Sequence, residues 1–355
     1  EFIFEPDFSR LDEFLLFRNL INTTLFKNIS NCKPGTYLSI KNDKIKTHVF
    51  YDIENEGNRP IALRQSFSEL EKVLKKSVER QMVSDVKLGC QLSGGVDSSL
   101  VTYYASKNLE KGNLESISIT FKDKKFSEES FVDLVADKLS LRAHKFEMKA
   151  EYYFDVIEKA IWHFEHPLNH PNTVGIYLLS QEAKKLVTVL LSGEGADESL
   201  AGYNRFLVSE ENKIFTKSFF GGLKRNWNYV FHYLSYALNS EKKMVMATAF
   251  GSIATAKALK PSFKLDNAIS NRVETLKSLK GSINTRQRKY ELLTFLPDLL
   301  MRQDKMSMAH SIENRVPFLD NDMVSTALNI PSEALIAVHN KKLECKKILK
   351  DIVDD

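Results

Sequence analysis

Apolar positions recur along this chain with two different periods, and the switch between them lays out a fold. Between Ser66 and Val83, the residues Phe67, Leu70, Val73, Leu74 and Val78 fall on one stripe. That spacing predicts an amphipathic helix, with Ser66 and Glu69 as a capping box at its start. The pattern then turns to short apolar runs. Val86 to Leu92, Ser116 to Phe121, His144 to Met148 and Val187 to Leu191 predict strands. Helices are predicted from Asp97 to about Lys107, Ser127 to Leu139, Tyr152 to Phe164 and Tyr177 to Lys185. Strands alternating with helices predict an α/β fold, a parallel sheet covered on both faces whose ligands bind at the carboxyl ends of the strands. Ahead of it, Thr36 to Ile40 and Lys44 to Tyr51 flank the polar turn Lys41-Asn42-Asp43 and predict a β-hairpin. Two strands cannot hide a core alone, so residues 1–60 read as a segment that packs on the main body or belongs to a domain mostly outside this chain. Beyond about residue 205 no strand is predicted, and Leu292 to Met301 and Asn321 to Leu328 are the clearest helices.

Composition narrows the class without naming a function. The 355 residues are 43% hydrophobic and 27% charged, values of an ordinary globular protein with a length that suits about two domains. A net charge of +4 is too small to argue for a nucleic-acid partner. No apolar run approaches the roughly 18 residues of a membrane span, no signal peptide is expected, and no membrane partner is expected. Cys32, Cys90 and Cys345 are far apart, which argues against a disulfide framework and for a cytoplasmic location.

The chemistry concentrates in three strings. Leu92-Ser93-Gly94-Gly95-Val96-Asp97-Ser98-Ser99 lies where a predicted strand gives way to a helix. Two glycines and three serines there offer exposed N–H groups and hydroxyls beside a helix start, so an anion is the natural guest. No Lys follows the glycines, so this is not a Walker A loop. Leu191-Ser192-Gly193-Glu194-Gly195-Ala196-Asp197-Glu198 repeats the same logic with carboxylates. Carboxylates beside a phosphate loop repel ATP unless a hard cation lies between them, and Mg²⁺ takes a couple of carboxylates plus phosphate oxygens. Asp97 and Asp197 read as that pair, while Asp197 and Glu198 would also serve as helix caps. The third string, Arg302 to Asp320, mixes charges with Met, Ala, Ile and Val. Taken alone it reads as structural, with Arg315 and Asp320 as buried pairs.

The first string resembles the pyrophosphate loop of the N-type ATP pyrophosphatases. Together, in this order, the three resemble the synthetase domain of glutamine-dependent asparagine synthetases, the B type, over about residues 60–350. Thr24 to Ile29 and Lys33 to Leu38 look like the last strands of that family's glutaminase domain. The resemblance implies a parallel-sheet ATP pyrophosphatase domain over 61–355 with a helical C-terminal part, and a β remnant of the glutaminase over 1–60. It implies that Leu92, Ile119, Ser192 and Gly193 hold AMP. It also implies that Ser93, Gly94, Gly95, Asp97, Ser98 and Ser99 bind pyrophosphate. Glu194 matches the glutamate near the incoming amine. Cys345-Lys346-Lys347-Ile348-Leu349-Lys350 looks like the family's late helix, which makes Lys346 the candidate catalytic lysine and Lys342 a weaker contender. Either lysine would equally suit a solvated basic helix. Ser199 and Ala201 stand where many relatives carry Leu or Val and Gly.

ATP and Mg²⁺ are thus the implied cofactors, an acyl-adenylate the implied intermediate, and aspartate to asparagine the implied conversion. The strings read ATP and leave the acceptor open. Relatives close β-lactams, cyclise peptides or amidate sugars and antibiotics with the same loops, and a non-catalytic scaffold is the distant alternative. Residue 1 is Glu, whereas the family's glutaminase uses an N-terminal Cys. This polypeptide is therefore expected to use free ammonia and a longer parent to use glutamine. The segment Glu165 to Tyr177, with His163, His166 and His170, is expected to shape the acceptor pocket rather than hold a metal. A homodimer is compatible with the resemblance.

Overall fold

The computed structural model describes residues 4–123, 127–206, 240–339 and 342–345. Among them the chain forms two units, one gathering 4–58, 201–206, 240–297, 338–339 and 342–345, the other 59–200 and 298–337.

In the first unit, helix α1 (Leu11–Phe17) supplies Leu16 and Phe17 to a core shared with Met244, Val245, Ile269, Leu276 and Tyr290. Glu13 and Arg272 are buried within it. The Arg272 Nε donates to Glu13 at 2.8 Å, another guanidinium nitrogen donates to the Asn19 side chain at 2.6 Å, and the guanidinium lies 4.0 Å from the Phe17 ring centroid. That pairing is what makes two buried charges tolerable. Strands β1 (Thr36–Lys41) and β2 (Lys44–Val49) form the expected hairpin. Its turn is two residues long, because Asn42 and Asp43 both take positive φ, the geometry that matches the twist of the flanking strands.

The second unit opens with α2 (Ser66–Gln81), which buries Leu70, Leu74 and Val78 as the stripe requires. The capping box does not form. A 3-10 turn, Leu63–Gln65, feeds straight into the helix, so Ser66 is already helical and its hydroxyl donates backwards to the Ala62 carbonyl at 3.2 Å. Strands β3 (Leu88–Gln91), β4 (Glu115–Phe121), β5 (Arg142–Met148) and β6 (Val189–Leu191) follow. With them come the helices α3 (Val96–Ser106), α4 (Glu129–Leu139), α5 (Ala150–Phe164), α6 (Asn172–Ala183) and the short α7 (Ala196–Ser199).

The sheet is parallel throughout, in the order β5-β4-β3-β6-β7. Its fifth strand, β7 (Glu313–Arg315), corrects the expectation that no strand follows residue 205. Glu-Asn-Arg carries no apolar signal, yet it ladders onto β6 with Leu190 opposite Asn314. Ile336–His339 and Lys342–Cys345 form a further antiparallel pair, β8 and β9. The helix expected over Leu292 to Met301 is two helices, Ile283–Thr294 and Leu296–Met308. Phe295 separates them just before Pro297, which has no N–H to carry a helix through.

Arg315 and Asp320 are not partners. Arg315 pairs with Glu313 at 2.7 Å and donates to the Gln81 and Val83 carbonyls at the end of α2. Asp320 pairs with Arg80 at 2.9 Å and caps Asn321–Asn329.

Candidate functional site

From the central strand β3 the chain winds outward through β4 and β5, then returns to the other side of β3 with β6. The order reverses between β3 and β6, and in such sheets the crevice outside the carboxyl ends at that reversal is where ligands bind. Both glycine-bearing loops leave the sheet there, from neighbouring strands: Ser93 to Gly95 after β3, and Ser192 to Gly195 after β6.

Each loop is held in shape by its own small residues. Gly94 has φ +88°, and a Cβ there would lie 3.0 Å from the Glu128 carbonyl oxygen. The Ser98 hydroxyl donates to the Gly95 carbonyl at 3.1 Å, accepts from the Ser93 N–H at 3.2 Å and lies 2.9 Å from the Ser93 hydroxyl. No side chain caps α3, which leaves its first-turn N–H groups facing the loop as donors. The second loop presses against that turn. A Cβ on Gly193 would meet the Ser98 nitrogen at 2.8 Å and the Asp97 Cβ at 3.0 Å. Gly195 has φ +88° and backs onto Leu319, whose carbons would lie 2.4 Å from an added Cβ. Ser192 is anchored from beyond β6, its N–H donating to the Arg315 carbonyl at 2.9 Å.

Asp97 stands in the first turn of α3, Asp197 and Glu198 in the first turn of α7, and Glu194 between the two glycines of its loop. Glu198 is buried, whereas Asp97, Glu194 and Asp197 are partly exposed. Leu92 is fully buried; its N–H donates to Ile117 and its carbonyl accepts from the Ser118 hydroxyl at 2.6 Å. Ile119 ends its side chain against the first turn of α6, 3.8 Å from where a Cβ on Gly175 would be. Ser192 is 2% exposed, and its hydroxyl has no hydrogen-bond partner among the described residues. Such an orphan is costly unless a ligand or water completes it.

Other sequence-level candidates resolve differently. Lys346 lies outside the described residues, and Cys345 ends strand β9. Lys305 is engaged with Glu165 and with the Phe164 carbonyl. Among the described residues no group of three or more His, Cys, Asp and Glu is arranged to hold a metal. Asp97 and Asp197, in the first turns of α3 and α7, are nevertheless of the donor type that a hard cation takes. His166 sits against the Phe164 ring, centroids 4.0 Å apart, and burial with the nearby Lys305 charge holds its imidazole down at about 4. Cys90 is buried beneath the first loop and its thiol is pushed up to about 12, which leaves it unreactive.

The sequence reading passed over Gln91 and Gln303, which the structure brings together at 3.0 Å. Their one visible signal was an amide side chain inside an otherwise apolar strand.

Comparison with known proteins identifies the family. The model of the asparagine synthase family matches residues 69–355. An asparagine synthetase [glutamine-hydrolyzing] 1 of Bacillus subtilis is 29% identical over 99% of this chain and 57% of its own length. A putative asparagine synthetase of Mycobacterium bovis is 26% identical over 93% of this chain and 53% of its own. The amidase chyE of Penicillium rubens is 24% identical over 93% of this chain and 56% of its own. The chain thus spans about half the length of these relatives. With the family model covering most of its residues, the chain belongs to the asparagine synthase family.

Proposed function

We propose that this chain activates a carboxylate with ATP and converts the acyl-adenylate to an amide, with aspartate as the acid and ammonia as the nitrogen source. The observation that carries the reading is the junction of the two loops. An uncapped helix start and a serine-glycine loop offer donors for pyrophosphate, and packed against them is a loop bearing an unspent buried hydroxyl and two partly exposed carboxylates.

A carboxylate cannot expel oxide, so it must first gain a leaving group. Its oxygen attacks the α-phosphorus of ATP, the bond to the β-phosphate oxygen breaks, and pyrophosphate departs onto the Ser93–Ser99 donors, which stabilise the charge that develops. Ammonia then attacks the acyl carbon, the bond to AMP breaks, and Glu194 accepts the proton lost from nitrogen. Mg²⁺, held by Asp97 and Asp197, would offset phosphate charge. Lys346 is the proposed cation for pyrophosphate and the tetrahedral intermediate. In a longer parent protein, glutamine would supply the ammonia.

The likeness to an amidase-named protein favours a second reading, the same activation applied to another acid. Aspartate-dependent exchange of labelled pyrophosphate into ATP is the test. Exchange with aspartate, lost in Asp97→Ala, is the expected result. Exchange with other acids but not aspartate would select the second reading, and no exchange with any acid would overturn both.

A further inference from the structure

Three side chains stand in a row on one face of the sheet at its carboxyl edge. A Cβ on Gly89 would meet Ile117 and Val187 on the face that α6 covers, so Gln91, two residues further along β3, shares that face. Ile119 shares it through Ile117 on β4. Ser192 shares it through Leu190, which packs in the same cluster. Cys90 lies opposite Leu191 and Gln91 opposite Ile117, so the order across the edge is Ile117, Gln91, Ser192, on strands about 4.8 Å apart, with Ile119 two residues further along β4.

Gln91 is the polar centre of that row and is bonded to a buried amide, whose own Oε1 has no hydrogen-bond partner among the described residues. The Gln303 amide nitrogen, on helix Leu296–Met308, donates to the Gln91 Oε1 at 3.0 Å. Gln303 is 3% exposed, so this bond forms in a dry environment. With Oε1 taken, the Gln91 amide nitrogen is turned the other way; it is partly exposed and donates to no group among the described residues. Beside it the Ser192 hydroxyl is also unspent. An amide N–H and a hydroxyl on adjacent strands, both without acceptors, suit a ligand that brings oxygen atoms and lies along the edge.

We infer that Gln91 binds the AMP half of the nucleotide by donating to one of its oxygens, and that Gln303 is the residue that positions it. The inference rests on reading the cleft as an ATP site. It assigns to this chain an amide pair that acts on AMP and not on pyrophosphate, whose donors lie on the α3 side.

Calorimetric binding of AMP, ATP with Mg²⁺ and inorganic pyrophosphate separates the possibilities. Gln91→Leu should weaken AMP and ATP about tenfold, the loss of one hydrogen bond, and leave pyrophosphate within about twofold. Gln91→Glu keeps the shape and replaces the donor with an anion, and should weaken AMP further still. Gln303→Leu should mimic Gln91→Leu, and adding it to Gln91→Leu should cost nothing more. A purely structural role would weaken pyrophosphate equally and lower the melting temperature with it, and that outcome overturns the inference. So does unchanged AMP affinity in Gln91→Leu and Gln91→Glu. Failure of the unaltered chain to bind either AMP or ATP would instead remove the ATP reading itself.

Discussion

Burial sets the protonation of His166, with the Lys305 charge as the second cause. In the unfolded chain this ring takes up its proton near its ordinary 6.5; in the folded chain it does so only at about 4. Between those values the unfolded state binds more protons, so this group removes stability as pH falls through that window and contributes no pH dependence above it. His166→Gln should therefore flatten the loss. Urea midpoints at pH 7.5 and 4.5 should differ less in the variant than in the unaltered protein, and equal differences would show that the ring is not shielded. The same loop carries Glu165 at φ +64°, where its carboxylate meets Lys305 and is held below the ordinary carboxylate range, chiefly by that hydrogen bond.

At the scale of elements, Gly195 shows why the second loop tolerates no side chain. Its left-handed backbone disfavours any Cβ by about 1–2 kcal/mol, and Leu319 fills the space that a methyl would need. Gly195→Ala should destabilise the protein by roughly 2–4 kcal/mol, combining backbone strain with overpacking. Adding Leu319→Ala should relieve the clash but not the strain, at the further expense of a cavity. Urea denaturation of the two variants checks this; no loss in Gly195→Ala would mean that the loop relaxes freely.

The inner strands were legible because a buried parallel strand must be apolar on both faces, and Val187 to Leu191 could hardly be anything else, whereas the edge strand β5 showed itself by alternation. The loops were legible because glycine and serine after such a strand have few other uses. β7 was not, since Glu313-Asn314-Arg315 owes its place to backbone bonding with β6 and not to its side chains. The capping box failed for a related reason: the preceding turn had already supplied what Ser66 was expected to provide. The pairing of Gln91 with Gln303 was not legible, because partners so distant in sequence share no periodicity; only the amide of Gln91 in an apolar strand stood out.

On the scale of the molecule, ligand and stability are linked. On the proposed reading ATP with Mg²⁺ binds only the folded chain, so at a hundred times its dissociation constant it should add about 2.7 kcal/mol. A thermal midpoint that rises with ATP and Mg²⁺, and rises less once the metal is chelated, is expected. Asp97→Ala with Asp197→Ala should abolish the effect of chelation. A midpoint indifferent to Mg²⁺ in the unaltered protein would remove the metal from the site.

The anchoring of Ser192 by the Arg315 carbonyl also bears on how the protein comes into being. During synthesis the β3 loop emerges early, the β6 loop much later, and the backbone that holds the latter only after residues 201–297 of another unit have been made. At about 5–20 residues per second, roughly ten to forty seconds separate the first half of the cleft from its last support. Contacts so far apart in sequence also carry a large loop-closure entropy before they repay it, which makes them late in folding. A nascent chain therefore carries its β3 loop for that whole interval without the backbone that later anchors the neighbouring loop.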